Sequence, residues 1–244
     1  GDHLPLHRQE RIFARHGVRF SRQTTCDWCA ACAKLFEPLV ALIETEVLGS
    51  YVLHTDDTPV KLRDAHAKEQ LTARIWAYVG DETHPFTFFE FTRSRERDGP
   101  ARVLANFHGY LQADAFSGYD GLYLDSRGAI VEVACWAHAR RKFFDARGSD
   151  SPRVHFAITR IRQLYEIERR LRERVEGEWR ELPLPERAAL IAAERQQHAR
   201  PILAEFRTWL DQQSTRVLPK SPIAEALRYT LKQWDALCRY TDDG

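Results

Sequence analysis

The chain has 244 residues, 43% hydrophobic and 29% charged, with a formal net charge of +1. This length suits one large domain or two smaller ones and can bury a substantial core. No run approaches the roughly 18 apolar residues of a membrane span, and the polar N-terminus lacks a signal peptide's apolar stretch, so neither is expected in this sequence. The chain starts at Gly1 and contains no Met, which reads as a fragment or processed product. Tyr240 to Gly244 reads as a stop within a turn. The five cysteines, Cys26, Cys29, Cys32, Cys135 and Cys238, are odd in number, and three recur at helical spacing. They read as reduced thiols of a cytoplasmic protein rather than a disulfide framework.

Residues 5–48 read as helical. Leu6 to His16 forms one segment and Gly17 breaks it. Ser21 is placed to cap a second helix through Thr25, Trp28 and Leu35, with Phe36 to Leu48 as a connecting helix. A helix, a glycine turn and a Ser-capped helix resemble a helix-turn-helix, which would present Arg22, Gln23 and Thr24 to DNA; a plain helical hairpin is the alternative.

The pattern changes at Tyr51. Strand-like segments follow at 51–56, 60–63, 73–79 and 85–91. Gly99-Pro100 opens a helix to about Phe107. Strands at 110–114 and 130–134 follow, and Trp136 to Arg147 reads as a helix. Beyond Arg153 the chain is helical, over 153–178, 186–212 and 221–239, with breaks at Pro183/Pro185 and Pro219/Pro222.

Three antiparallel-type strands, a helix and a parallel strand are the order of a ribonuclease-H-like fold. The expected architecture is therefore α/β. A ribonuclease-H-like mixed-sheet core over 49–150 is flanked by an N-terminal helical segment, 1–48, and an α-helical insertion, 151–244. In such a fold the first and fourth strands are neighbours. Asp56 and Asp114 end those two segments 58 residues apart, so the topology predicts that they meet. Paired carboxylates at a sheet mouth can share divalent metal ions, the apparatus for cutting and joining a nucleic-acid backbone.

Asp56 and Asp57 are adjacent and point to opposite faces of an extended strand, so only one of them can face a site shared with Asp114. Asp120 reads as a turn residue. Cys135-Trp136-Ala137-His138 gives two ligand types, where a structural zinc site needs four, and reads as structural or supporting. Cys26, Cys29 and Cys32 fan out around a helix with no matching partner pair, which argues against zinc. From Trp136 to Arg174 eleven Lys/Arg face five acids. Arg140, Arg141 and Lys142 are the candidate phosphate contacts of this basic stretch, and a solvated helix face is the alternative.

The residues together resemble the insertion-sequence-66 family of bacterial DDE transposases. The resemblance rests on Leu4-Pro5-Leu6-His7-Arg8-Gln9-Glu10, His54-Thr55-Asp56-Asp57-Thr58-Pro59-Val60, Gly109 to Asp114 with Gly118-Tyr119, Cys135 to Phe143, and Leu164-Tyr165-Glu166-Ile167-Glu168. Where the family usually carries Asp-Glu-Thr, this chain has Asp56-Asp57-Thr58. The resemblance implies that Asp56 and Asp114 are the first two catalytic, metal-binding carboxylates and that Mg²⁺ or Mn²⁺ is the cofactor. It implies a third carboxylate, a Glu, beyond Gly244, with Glu168 as the rival within the chain. It also implies DNA as partner, homo-oligomeric assembly on DNA, and a bacterial, nucleoid-associated location. A chain lacking the third carboxylate would be inactive alone. A metal-dependent nuclease on the same fold and a truncated DNA- or partner-binding remnant are the competing readings.

Overall fold

A computed structural model describes residues 4–63 and 70–244. Helix α1 (Leu6–Arg15) is followed by a turn through Gly17, whose φ of 77° suits glycine. Helix α2 (Arg22–Leu48) begins at Ser21, whose side chain accepts from the Thr24 amide at 3.1 Å, as the sequence predicts. Phe13, Phe20 and Trp28 pack edge to face and join the two helices. The expected break near Phe36 is absent: α2 is one 27-residue helix that carries Pro38 inside it.

Five strands form one mixed sheet in the order β3-β2-β1-β4-β5. They are β1 (Val52–Leu62), β2 (Leu71–Val79), β3 (Thr87–Thr92), β4 (Gly109–Ala113) and β5 (Ile130–Ala134). Strands β1 to β3 are antiparallel, whereas β4 runs parallel to β1 and β5 parallel to β4. The sheet thus has the predicted ribonuclease-H-like order, with the first and fourth strands adjacent.

One expectation is corrected. The segments 51–56 and 60–63 are a single strand, so Asp56 lies within β1 rather than at its end. The cause is the antiparallel partner: β2 pairs with β1 from His54 to Leu62 and holds Asp56-Asp57-Thr58-Pro59 extended. Strand β4 pairs only with Val52, Leu53 and His54. The other edge of β1 is therefore open where Pro59 stands, and a residue without an N–H is tolerated there.

Gly109 sets where β4 enters. Its φ of 143° is one that side chains rarely adopt, and a Cβ there would stand 2.5 Å from the Tyr51 carbonyl oxygen. Close approach lets the Tyr110 amide donate to that carbonyl at 2.9 Å. The register of Val52 with Tyr110 and His54 with Gln112 follows.

Between β3 and β4 lies α3 (Asp98–Val103), shorter than predicted because the chain tightens into a 3₁₀ turn over Leu104–Asn106. A short helix, α4 (Asp120–Asp125), precedes β5 and has no counterpart in the sequence reading. These elements and the end of α2 cover one sheet face with a core of Val47, Leu53, Trp76, Tyr78, Leu104, Phe107 and Leu111. On the opposite face Ile75, Val79, Phe89 and Phe91 remain exposed.

Helix α5 (Trp136–Asp145) leads into the C-terminal helices α6 (Ser151–Glu176), α7 (Leu184–Glu194), α8 (Arg200–Ser214), α9 (Pro222–Lys232) and α10 (Trp234–Cys238). Helices α7 and α8 are joined by a π turn over Arg195–Ala199. Pro201 cannot donate to the preceding turn, and the wider turn just before it keeps the helix continuous. A second core joins these helices through Trp136, Phe143, Ile161, Leu164, Phe206, Leu210 and Leu237. The Trp136 indole N–H donates to the Leu237 carbonyl at 2.9 Å, which locks α5 onto the helical layer. No helix among the described residues is long and apolar enough to cross a membrane.

Candidate active site

Asp56 and Asp114 face each other beyond the last parallel pair of β1 and β4. Each, together with His138 on the first turn of α5, offers one ligand atom, and these atoms lie within 4.8 Å of one another. Asp56 is exposed and the other two are half-buried. The Asp56 carboxylate accepts from the Asp57 amide at 2.9 Å. In Asp114, Oδ1 accepts from the Phe116 amide at 3.1 Å, so the turn after β4 fixes its rotamer.

His138, whose Cys-x-x-His step reads as structural or supporting in the sequence, is the third member of the cluster. Its Nδ1 is buried, and a side-chain hydrogen bond links the imidazole to Cys135. The neighbouring Cys135 raises the imidazole's pKa against the opposing effect of burial. Burial pushes the Cys135 thiol up, but His138 and the backbone amides at the start of α5 outweigh it and lower its pKa. The Cys-x-x-His spacing was the available signal. It becomes informative only when β5 and α5 deliver it beside two carboxylates from other strands.

The carboxylate of Asp57, which strand alternation turns to the other face of β1 from Asp56, is tucked in, at 2% exposed. It is nevertheless tied to the site. Asp57 Oδ2 accepts from Arg74 Nη1 at 2.8 Å and Oδ1 from Arg95 Nε at 2.8 Å. Arg95 Nη2 also reaches Asp114 Oδ2 at 2.6 Å, and its guanidinium lies 4.2 Å above the Phe116 ring. Burial works against the Arg95 charge, but the bonds to Asp114 and Asp57 prevail and raise its pKa.

These groups open into a cavity of about 650 Å³ lined by Asp56, Asp57, Asp114 and His138 and by the cations Arg74, Arg95, Arg141, Lys142 and Lys232. Of the three predicted phosphate contacts, Arg141 and Lys142 are on the cavity wall, and Lys142 also donates to Glu225 at 3.0 Å. Arg140 is exposed on the same helix and does not line the cavity. Much of the basic stretch beyond α5 is spent in local ion pairs: Arg153 with Asp150, Arg160 with Glu205, and Arg169 and Arg170 with Glu166.

Glu168 is not brought to the cluster. Its carboxylate accepts from Arg195 Nε at 3.0 Å and Nη2 at 2.8 Å, in a separate cavity with Tyr165, Arg172 and Tyr240. Glu166 on the same helix pairs with Arg169 and Arg170. The three N-terminal cysteines are exposed along α2.

The family model described as "Transposase IS66 family" matches residues 1–244. The chain belongs to this family. It is 30% identical over 267 residues to the uncharacterized protein y4hP of Sinorhizobium fredii, an alignment that covers 100% of this chain and 46% of that protein. To y4qI of the same organism, also uncharacterized, it is 32% identical over 256 residues, with 100% and 45% covered. The chain therefore spans about half the length of the curated relatives it matches.

Proposed function

We propose that this chain is the catalytic portion of a DDE-type DNA transposase that cuts and joins phosphodiesters at the ends of an insertion sequence. The observation that carries this reading is the convergence of Asp56, Asp114 and His138 in a family member. Two carboxylates suit a hard divalent ion such as Mg²⁺ or Mn²⁺, and the imidazole of His138 is a softer donor that Mn²⁺ accepts more readily than Mg²⁺. Asp56, Asp114 and His138 would hold Mg²⁺ or Mn²⁺. When bound, the metal supplies Lewis-acid stabilisation and a reactive oxygen nucleophile at neutral pH.

The chain's own residues supply position and charge. The Phe116 amide fixes Asp114, and β2 holds Asp56 in extended backbone, so the two carboxylates are set before substrate arrives. Arg141, Lys142 and Lys232 line one wall of the cavity and would receive the phosphates that flank the scissile bond. The carboxylates form no covalent intermediate in this scheme. The helix-turn-helix-like α1–α2 segment would add DNA contacts through Arg22, Gln23 and Thr24. The assembled protein would act as a homo-oligomer on paired DNA ends in the bacterial nucleoid.

The test is incubation of a duplex carrying the element's ends with the protein in Mg²⁺ or Mn²⁺. Metal-dependent nicking and joining that Asp56→Asn and Asp114→Asn abolish support the reading. Hydrolysis without joining would favour a nuclease. DNA binding that neither metal nor Asp56→Ala alters would favour an inactive remnant.

A further inference from the structure

Arg95 bonds one carboxylate of the candidate metal site, Asp114. Its Nη2 atom stands 2.6 Å from Asp57 Oδ1 and also 2.6 Å from Asp114 Oδ2. One nitrogen thus bridges the buried carboxylate of β1 and the half-buried carboxylate after β4. The two ends of this bridge are unequal. Asp57 is 2% exposed and takes a second cation, Arg74. Asp114 is 19% exposed, opens into the cavity and lies within ligand distance of Asp56 and His138. Arg95 itself is held at a third point by the face of Phe116.

We propose that Arg95 is a counter-cation of Asp114 and Asp57 that is exchanged for a divalent ion on Asp114 while it stays anchored on Asp57. The inference rests on the metal-binding reading above and adds a residue to it. Asp114 Oδ1 is engaged by the Phe116 amide and Oδ2 by Arg95. A metal that takes Oδ2 must therefore displace the guanidinium or share the oxygen with it, and two cations on one oxygen repel. Asp57 keeps the displaced arginine from leaving, since its carboxylate also accepts from Arg95 Nε. The freed Nη2 donors then point into a cavity whose other cations suit a phosphate. The position is a gate on metal loading and a positioning group, not a metal ligand.

The experiment is Mn²⁺ binding to the protein without DNA, followed by electron paramagnetic resonance of free Mn²⁺ and by calorimetry. Arg95→Gln removes the competitor, and affinity should rise about tenfold or more. Arg95→Lys, which keeps a charge but not the span from Asp57 to Asp114, should also bind Mn²⁺ more tightly than the unaltered protein. It guards against a folding defect in Arg95→Gln. Arg141→Gln removes a cavity charge that touches neither carboxylate and should change affinity much less. Unchanged or weaker Mn²⁺ binding in both Arg95 variants would overturn the exchange while leaving the metal site standing. An Arg141→Gln effect as large as that of Arg95→Gln would also overturn it, because removing any nearby charge would then suffice. Absence of Mn²⁺ binding in every form would overturn both the exchange and the metal-binding reading.

Discussion

Asp56 and Asp114 stand opposite each other two residues past His54 and Gln112, the last parallel pair of β1 and β4. The hydrogen-bonded ladder stops before the carboxylates meet, so each side chain is free of the sheet edge while the register still aligns it. The same 58-residue offset separates Val52 from Tyr110, His54 from Gln112 and Asp56 from Asp114. The site is therefore a consequence of register, and register is set upstream at Gly109.

Asp114→Asn should abolish the Mn²⁺-induced rise in thermal midpoint and leave the metal-free midpoint within a few degrees of the unaltered protein. A ligand that binds only the folded state stabilises it by about 2.7 kcal/mol at a hundredfold excess over Kd. That increment should be readable by scanning calorimetry with and without Mn²⁺. An equal rise in the variant would remove Asp114 from the metal site.

Arg141→Gln should weaken binding to duplex DNA of any sequence and lower the slope of log K against log salt by about one. Lys142→Gln should have a smaller effect, because its ammonium is already paired with Glu225. Fluorescence anisotropy over a salt series measures both. A loss confined to one sequence would mean that Arg141 reads bases instead of contacting phosphates.

Alternating apolar residues and turn punctuation made the sheet legible: β2, β3, β4 and β5 overlap the segments 73–79, 85–91, 110–114 and 130–134 that the sequence indicates. The pairing of the first and fourth strands was legible from element order alone. The continuity of β1 was not, because Asp56-Asp57-Thr58-Pro59 is turn-like chemistry and only pairing with β2 holds it extended. The π turn at Arg195 was hidden because 186–212 reads as one continuous helical pattern, which carries no mark of a locally wider turn. At the site, two carboxylates could be read from strand position. His138 and Arg95 could not, because nothing in their local sequence says which distant strands they will face. Nor was the role of Asp57 visible, since strand alternation gives its direction and not its two arginine partners.

Asp57→Ala should destabilise the protein by about 3 kcal/mol, because removing one partner of a buried ion pair leaves the other charges uncompensated. Arg74 and Arg95 both lose their anchor, and each is partly shielded from water, at 22% and 33% exposed. Asp57→Glu, which restores the charge with a longer stem, should recover part of the loss. Urea unfolding followed by tryptophan fluorescence gives the difference. A loss below about 1 kcal/mol would mean that solvent already compensates the arginines, as in surface pairs.

Asp81 should make the stability of the sheet acid-sensitive. It lies in the turn between β2 and β3 and accepts from the Tyr51 amide at 2.6 Å, the Thr83 hydroxyl at 2.7 Å and the His84 amide at 3.0 Å. Burial raises its pKa, but these donors outweigh burial and hold it well below the usual carboxylate range. A carboxylate with a depressed folded-state pKa stabilises the fold fully above its unfolded value of about 4, and the contribution falls away as pH drops through the folded value. The turn is thereby clamped to the start of β1, and loss of the clamp frays the sheet just ahead of Asp56. Asp81→Ala should cost about 1–3 kcal/mol at pH 7, with the gap to the unaltered protein narrowing steadily below about pH 4. Urea unfolding at several pH values between 7 and 3 measures it. A gap of constant size across that range would show that Asp81 acts through neutral packing and turn geometry instead of its charge.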